Sequence, residues 1–280
     1  MVSEENILVS IVVITYNSSK YIIETLESVK NQTYESLELI ISDDCSKDNT
    51  VELCKKWLVE NKNRFERTKL LTVQKNSGIA ANCNRGFYNA KGVWIKCIAG
   101  DDLLLPNCID IFLENSKTNS ESFFFSKMVT KPHSEYFTKM FDESFVNLNV
   151  EKNQLRYLLK GNYLPAPAFF IKTSAFLDLN GFDERFPFTE DYPLWIKALK
   201  KGYKFKFIEE KTVIYRIHQE SISSSLDSNP FYRTMLKSLF DFRVQVLLPL
   251  QIKNGLFKYA LLTIKSILYY FYLSAKSWIK

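Results

Sequence analysis

The chain has 280 residues, 46% of them apolar and 24% charged, values that exclude wholesale disorder and a polytopic membrane protein. Its 37 Lys and Arg outnumber its 31 Asp and Glu, but Arg243, Lys253, Lys258, Lys265, Lys276 and Lys280 all follow the last acidic residue, Asp241, and account for the whole formal charge of +6. The body is therefore neutral, which argues against nucleic acid as a partner and puts the basic character in the C-terminal tail.

Short apolar runs alternate with helical spacing over the first 130 residues, the pattern of βαβ units feeding a mostly parallel sheet. The run before Thr15 follows Glu4 and Glu5 and reads as a strand rather than a signal peptide. Strands are expected over 9–15, 38–42, 69–73, 93–98 and 122–128, and helices over 19–30, 48–61 and 79–90, the second capped by Asp48 or Ser46. Residues 131–150 read as a long loop, followed by a helix over 153–159 and the turn Pro165-Ala166-Pro167. A strand over 168–171, a helix over 190–201 stopped by Gly202, two strand pieces over 204–208 and 213–217, and a polar Ser-rich loop over 221–228 come next. Beyond Asn229 two helices are expected, broken near Pro249 and Gly255. Lys265 interrupts the apolar run there, so the last helix reads as interfacial, held by apolar burial and anionic lipid; a helix packed on the body with snorkelling lysines has the same pattern. Cys45, Cys54, Cys83, Cys97 and Cys108 are odd in number and lack metal-site spacing, which fits reduced thiols in a cytosolic setting.

Six polar constellations stand at or near predicted strand ends or helix starts. Thr15-Tyr16-Asn17 leaves strand one where open α/β sheets bind ligands. Asp43-Asp44 closes strand two, with one carboxylate equally suited to capping the next helix. Asn76-Ser77-Gly78 with Asn82 and Arg85 offers amide donors and acceptors to a base, ribose or phosphate, and would also serve as plain turn chemistry. Gly100-Asp101-Asp102 supplies the carboxylate oxygens that Mg²⁺ or Mn²⁺ requires. Glu190-Asp191 opens a helix, where the dipole favours an ionised base, or simply caps it. Arg216 and His218 lie two residues apart and so on one face, with His218 a phosphate or metal ligand or a structural histidine.

In this order Val12-Val13-Ile14-Thr15-Tyr16-Asn17, Gln32-Thr33-Tyr34, Ile41 to Asp48, Asn76-Ser77-Gly78-Ile79, Ala90-Lys91-Gly92 to Asp102, and Glu190 to Trp195 resemble the inverting family-two glycosyltransferases. The resemblance, which runs from about Ser10 to Ser223, implies a glycosyltransferase-A fold, Rossmann-like with a mixed central sheet, over residues 1–228; the residue pattern adds a helical, basic amphipathic tail over 229–280. It implies that Thr15, Tyr16, Asn17, Asp43, Asp44, Asn76, Gly78, Asn82, Asp101 and Arg216 bind the nucleotide sugar. It further implies that Asp102, aided by His218, holds the divalent metal, and that Asp191 is the general base. Two positions depart from the family pattern: Ala99 stands where many relatives carry a further aspartate, and Cys83 replaces a common arginine.

The resulting expectation is a bacterial enzyme on the cytoplasmic face of the plasma membrane, moving one sugar at a time from a nucleoside diphosphate donor to a lipid-linked glycan acceptor. Two rivals share parts of the pattern. A sugar-1-phosphate nucleotidyltransferase would need a Gly-rich basic loop after strand one, which is missing; an inactive sugar-nucleotide-binding subunit would not need both Asp102 and Asp191.

Overall fold

The strands β1 (Val9–Thr15) and β2 (Leu37–Asp43) are buried along nearly their whole length, as near-continuous apolar runs must be when helices cover both sheet faces. The structure, a computed structural model, describes residues 7–134, 153–218 and 232–276. Side-chain alternation sorts the core into two layers. Val12, Ile40 and Ile95 point into one, and Val13, Ile41 and Ile98 into the other.

With β3 (Arg67–Thr72) and β4 (Trp94–Ala99), these strands form a parallel block ordered β3-β2-β1-β4. The helices α1 (Ile22–Lys30), α2 (Thr50–Asn61) and α3 (Ile79–Phe87) connect its strands. Beyond β4 the sheet continues through β7 (Phe169–Lys172), β6 (Phe123–Lys131), β8 (Phe205–Arg216) and the two-residue β5 (Leu103–Leu104), with antiparallel joints at β4·β7, β7·β6 and β8·β5. The mixed α/β sheet that the motifs imply is therefore present.

Glu38 anchors the amino end of the parallel block. Its fully buried carboxylate accepts from Ser10 Oγ, Lys91 N, Gly92 N (3.1 Å) and Arg67 Nη1 (2.9 Å). A side chain at Gly92 would meet Ser10 N at 2.5 Å, so the Ala90-Lys91-Gly92 turn requires glycine there.

Several elements differ from the sequence expectation. The helices α4 (Cys108–Thr118) and α6 (Thr173–Asp178) and strand β5 were not anticipated, while α5 (Gln154–Leu158) and α7 (Asp191–Lys200) were. The two strand pieces expected after Gly202 are one strand, β8, whose polar centre Glu209-Glu210-Lys211 is accommodated by register shifts against β6 at Ser126, Lys127 and Met128. The predicted break at Pro249 is absent: α8 (Tyr232–Phe242) passes through a π-helical turn, Arg243–Leu247, into α9 (Leu248–Lys253), where Pro249 falls in the first turn and needs no donor. Gly255, at φ +67°, does separate α9 from α10 (Phe257–Lys276).

The C-terminal helices are joined to the body. Phe242, Leu247 and Leu256 belong to the same apolar layer as Val12 and Ile95, and Gln251 Nε2 donates to Leu159 O at 2.8 Å. The outer side of α10 carries exposed apolar groups, among them Phe257, Leu261 and Leu268. Among the described residues no helix is long and apolar enough to cross a membrane. The boundary expected at residue 228, the Ser-rich loop and most of the 131–150 loop lie outside the described residues.

Candidate active site

Strand register builds the site. Thr15 pairs with Asp43 and Ile14 with Ala99, so the loops after β1, β2 and β4 leave the carboxyl edge side by side. Backbone bonds continue the alignment past the strands: Asp44 N donates to Thr15 O at 3.0 Å and Gly100 N to Ile14 O at 2.9 Å.

The first two loops are laced together. Asn17 N donates to Ser46 Oγ, Ser18 N to Thr50 Oγ1 and Ser19 N to Asp48 Oδ2, at 2.8, 2.8 and 3.0 Å. Asn17 has φ +51° and Cys45 φ +71°, conformations that side chains tolerate only when held, and Asn17 Oδ1 is held by Lys47 N at 2.7 Å. This lacing also explains why α1 begins at Ile22 rather than residue 19. Neither expected residue caps α2: its N-cap is Asn49, without a side-chain capping bond, while Asp48 just before it accepts from Thr50 N at 3.0 Å and Ser46 turns to Asp43.

The two carboxylates after β2 serve different loops. Asp43 is buried and accepts from Thr15 Oγ1 (2.8 Å), Ser46 N (2.9 Å) and Ser46 Oγ. Asp44, also buried, accepts from Ser77 N, Ser77 Oγ, Gly78 N and Arg85 Nη2 at 2.9, 2.6, 2.8 and 3.0 Å. It therefore fixes the Asn76-Ser77-Gly78 loop, and Arg85 completes the clamp by donating to Asn82 Oδ1 (2.9 Å) and Asp43 O (3.2 Å). Buried Asn82 spans the strands, donating to Thr15 O at 3.2 Å and accepting from Ser42 Oγ at 2.6 Å. Gly78, at φ +91°, starts α3 where a Cβ would meet Pro187 at 2.7 Å. The loop thereby touches the segment that leads to Asp191.

Asp101 and Asp102 differ in burial and in partner. Asp101 is partly exposed, with Oδ2 at 3.0 Å from His218 Nε2. Asp102 is buried, and its Oδ1 accepts from Arg216 N at 2.9 Å. Burial first, and the Asp101 charge second, push its pKa up to about 8. The guanidinium of Arg216 braces this turn, donating to Asp101 O, to Glu24 Oε2 at 2.7 Å and to Thr25 Oγ1 at 3.2 Å, with Tyr21 stacked 5.0 Å away. Pairing of β5 with β8, Leu103 opposite Ile214, brings Arg216 and His218 to these aspartates.

A divalent cation suits this donor set. Among the described residues no three His, Cys, Asp or Glu side chains converge on one point. Even so, two adjacent carboxylates, one of them buried with its pKa raised first by burial and then by the other's charge, with an imidazole alongside, form the kind of group that a hard cation neutralises.

Asp191 opens α7 with both oxygens engaged, Oδ1 by Tyr192 N at 2.6 Å and Oδ2 by Asn162 Nδ2 at 2.9 Å. The sequence reading expects the helix dipole to keep this group readily ionised. Burial outweighs the dipole and raises its pKa, against the lowering effect of Asn162 and the Tyr192 N–H. Glu190 beside it is pushed up to about 8 by burial and by the Asp191 charge.

Of the residues singled out from sequence, Tyr16, Asn17, Asn76, Asp101, Asp191 and His218 reach solvent, whereas Thr15, Asp43, Asp44, Gly78, Asn82, Asp102 and Arg216 are buried around them. Lys96 was missed. It is fully buried in β4, and its Nζ donates to the carbonyls of Cys97 (2.9 Å), Pro167 (2.5 Å) and Phe169 (3.2 Å), fastening the 165–169 turn to the sheet. The signal was present in the sequence as a lone lysine inside Val93-Trp94-Ile95-Lys96-Cys97-Ile98.

A parallel block with polar loops at its carboxyl edge, extended into a mixed sheet whose strand β8 brings a second set of polar groups to paired aspartates, is an arrangement of the glycosyltransferase-A fold class. The chain belongs to glycosyl transferase family 2, whose profile matches residues 10–178. It is 28% identical over 228 residues to an uncharacterized glycosyltransferase of Rickettsia felis, covering 79% of this chain and 36% of that protein. To WfaP of Escherichia coli, a UDP-Glc:alpha-D-GlcNAc-diphosphoundecaprenol beta-1,3-glucosyltransferase, it is 29% identical over 225 residues, covering 78% of this chain and 80% of the relative. Among solved structures, S. aureus TarS 1–349 in complex with UDP-GlcNAc superposes with a TM-score of 0.67 at 21% identity, over 85% of this chain and 66% of that one. Mannosyltransferase PcManGT from Pyrobaculum calidifontis, in complex with GDP-Man and Mn2+, gives 0.61 at 16% identity over 88% and 64%. The chain spans no more than about two thirds of the length of several of these proteins.

Proposed function

We propose that the chain transfers one sugar from a nucleoside diphosphate sugar, a UDP-sugar, to a hydroxyl of a lipid-linked glycan acceptor, with inversion, in bacterial surface polysaccharide synthesis. The observation that carries this reading is the strand register, which sets Tyr16-Asn17, Asp43 and Asp101-Asp102 along one edge. Tyr16 and Asn17 face the nucleobase side with Asp43 behind them, Asn76 lies over the nucleotide, and Asp101 faces the ribose.

Asp44, Asn82 and Arg216 enter this reading as the groups that hold those contacts in place, since their polar atoms are already bonded to the protein. Asp102 and His218 would hold Mn²⁺ or Mg²⁺, which supplies charge neutralisation for the departing diphosphate. Asp191 takes the proton from the acceptor hydroxyl. Its raised pKa makes it a stronger base than a solvated carboxylate, and Asn162 and the Tyr192 N–H orient it. The exposed apolar side of α10 and the basic residues around it support seating on the anionic cytoplasmic face of the plasma membrane.

Thermal-shift titration with UDP- and GDP-sugars in Mn²⁺ tests the donor assignment, because a ligand bound only by the native state raises the melting temperature by mass action. A UDP-sugar is expected to raise it in the wild type and to do so much less in Asp102→Ala. No shift with any nucleotide sugar would refute the assignment. The membrane arm is read by sedimentation with phosphatidylglycerol vesicles, and equal binding by a chain ending at residue 255 would refute that seating.

A further inference from the structure

The C-terminal helices form a cavity that the chemistry at Asp191 does not use. Leu236, Phe240 and Arg243 recur at helical spacing along α8 and into its π-helical turn, so they share one face. Ser238 and Phe242 lie on the other, where Phe188 N donates to Ser238 Oγ at 3.3 Å and Phe242 packs on Phe186 and Tyr192 with ring centroids 5.5 and 5.0 Å apart. One side of α8 therefore supports the segment carrying Asp191, and the other side faces α10. Between α8 and α10 lies a cavity of about 220 Å³ lined by Leu236, Phe240, Arg243, Ile267, Tyr269 and Tyr270, with Phe240 stacked on Tyr270 at 4.6 Å.

Arg243 sets the character of this cavity. It is half-buried, and among the described residues no carboxylate or hydrogen-bond acceptor pairs with its guanidinium. Burial pushes its pKa down, and Tyr192, the neighbour of Asp191, opposes that shift, so the cation lies within electrostatic reach of the start of α7. A half-buried cation without a counter-charge is costly until an anion arrives, and a guanidinium fork matches phosphate oxygens in geometry. The remaining walls are mainly aromatic and aliphatic, and the hydroxyl of Ser266, which also lines the cavity, already donates to Thr263 O, so charge and surface together call for a ligand with an anionic head and a hydrocarbon chain. Next in sequence to lining residues, Val244, Leu268 and Phe271 are 40%, 60% and 55% exposed, and Phe271 packs on Phe240 at 5.3 Å, so apolar surface is available beside the cavity.

We propose that this cavity binds an isoprenyl diphosphate, the anchor of a lipid-linked acceptor, with Arg243 on the diphosphate and Phe240, Ile267 and Tyr270 along the first isoprene units. The π-helical turn aims Arg243 into the cavity, and the anchored acceptor sugar is directed toward Asp191. The proposal deepens the functional reading and rests on it in one respect, that the acceptor is lipid-linked.

The test is calorimetric titration of the full chain with farnesyl diphosphate, farnesol and inorganic pyrophosphate. The wild type is expected to bind farnesyl diphosphate and to bind the other two about tenfold more weakly or worse. Arg243→Gln is expected to lose about tenfold for farnesyl diphosphate, Arg243→Lys less, with melting temperatures unchanged and UDP-sugar binding retained. Ile267→Asn, a second variant independent of the charge, should weaken farnesyl diphosphate while leaving pyrophosphate unchanged. Equal farnesyl diphosphate binding by wild type and Arg243→Gln overturns the proposal, and so does equal wild-type binding of farnesyl diphosphate and pyrophosphate. Phosphatidylglycerol vesicles that displace farnesyl diphosphate as effectively as unlabelled ligand, phosphate for phosphate, would assign the cavity to membrane headgroups and also overturn it. A chain that binds farnesyl diphosphate through Arg243 but no nucleotide sugar would refute the donor assignment and uphold the cavity.

Discussion

Replacing Asp44 by Asn separates a scaffold carboxylate from a ligand-binding one. The Asp44 oxygens accept four bonds, two from Ser77 Oγ and Arg85 Nη2 and two from the backbone N–H groups of Ser77 and Gly78. The amide nitrogen of Asn cannot accept, so one of these pairs always faces a donor. Turned toward Arg85, it breaks a buried ion pair; turned toward Ser77 and Gly78, it orphans two backbone donors. Either arrangement costs about 3 to 5 kcal/mol, the range for breaking a buried charge pair. That corresponds to a fall in Tm of about 5 to 9 °C for a chain of this size. Urea unfolding without nucleotide reads the loss as a lower midpoint at unchanged slope, and UDP calorimetry reads the loosening of the Asn76–Gly78 loop. Stability within about 0.5 kcal/mol of wild type together with lost nucleotide affinity would refute the scaffold role and make Asp44 a direct contact.

Lys96→Met keeps side-chain length but leaves three carbonyls without their donor; we expect a loss of about 2 to 4 kcal/mol in urea unfolding, and a change under ~0.5 kcal/mol would contradict it. Asn162→Ala removes a donor that favours the Asp191 anion, so the pKa of Asp191 rises further and the acid limb of the transfer rate moves to higher pH, with activity recovering as pH is raised; an unmoved limb would count against Asn162 as its orienting partner. Glu190→Gln tests the adjacent carboxyl pair through stability. The folded pKa of Glu190 lies near 8 against an ordinary 4.5, so the folded state binds the extra proton and wild-type stability declines as pH rises between those values. The variant lacks that decline, and its advantage over wild type should grow across this window. Parallel stability curves would contradict the shift.

Much of this organisation is readable from the chain itself. Strands β1, β2 and β4 announce themselves because burial on both faces demands unbroken apolar runs, and the polar residues that follow each run mark the carboxyl edge. What pattern cannot supply is partner choice. Asp43 and Asp44 are adjacent and chemically identical, yet one serves the β1 loop and the other the loop before α3, a division set by register and by the φ of Cys45. The resemblance makes Arg216 a nucleotide-sugar contact, and local pattern gives no hint that Glu24 and Thr25, almost two hundred residues away in sequence, accept from its guanidinium. The missed helices, α4 and α6, fill layers on a sheet whose second half is mixed in direction, where local spacing gives little warning. The Pro249 break failed for a local reason: the π-helical turn absorbs the missing donor.

The central claim, that Asp191 removes the acceptor proton at a site built by the ends of β1, β2 and β4, is tested most directly in Asp191→Asn. The measurement pairs calorimetric binding of the UDP-sugar in Mn²⁺ with single-turnover transfer to a lipid-linked acceptor. Donor affinity should match the wild type while the transfer rate falls by about 10² to 10⁴-fold, the usual contribution of a positioned general base. Undiminished transfer by Asp191→Asn would contradict the account.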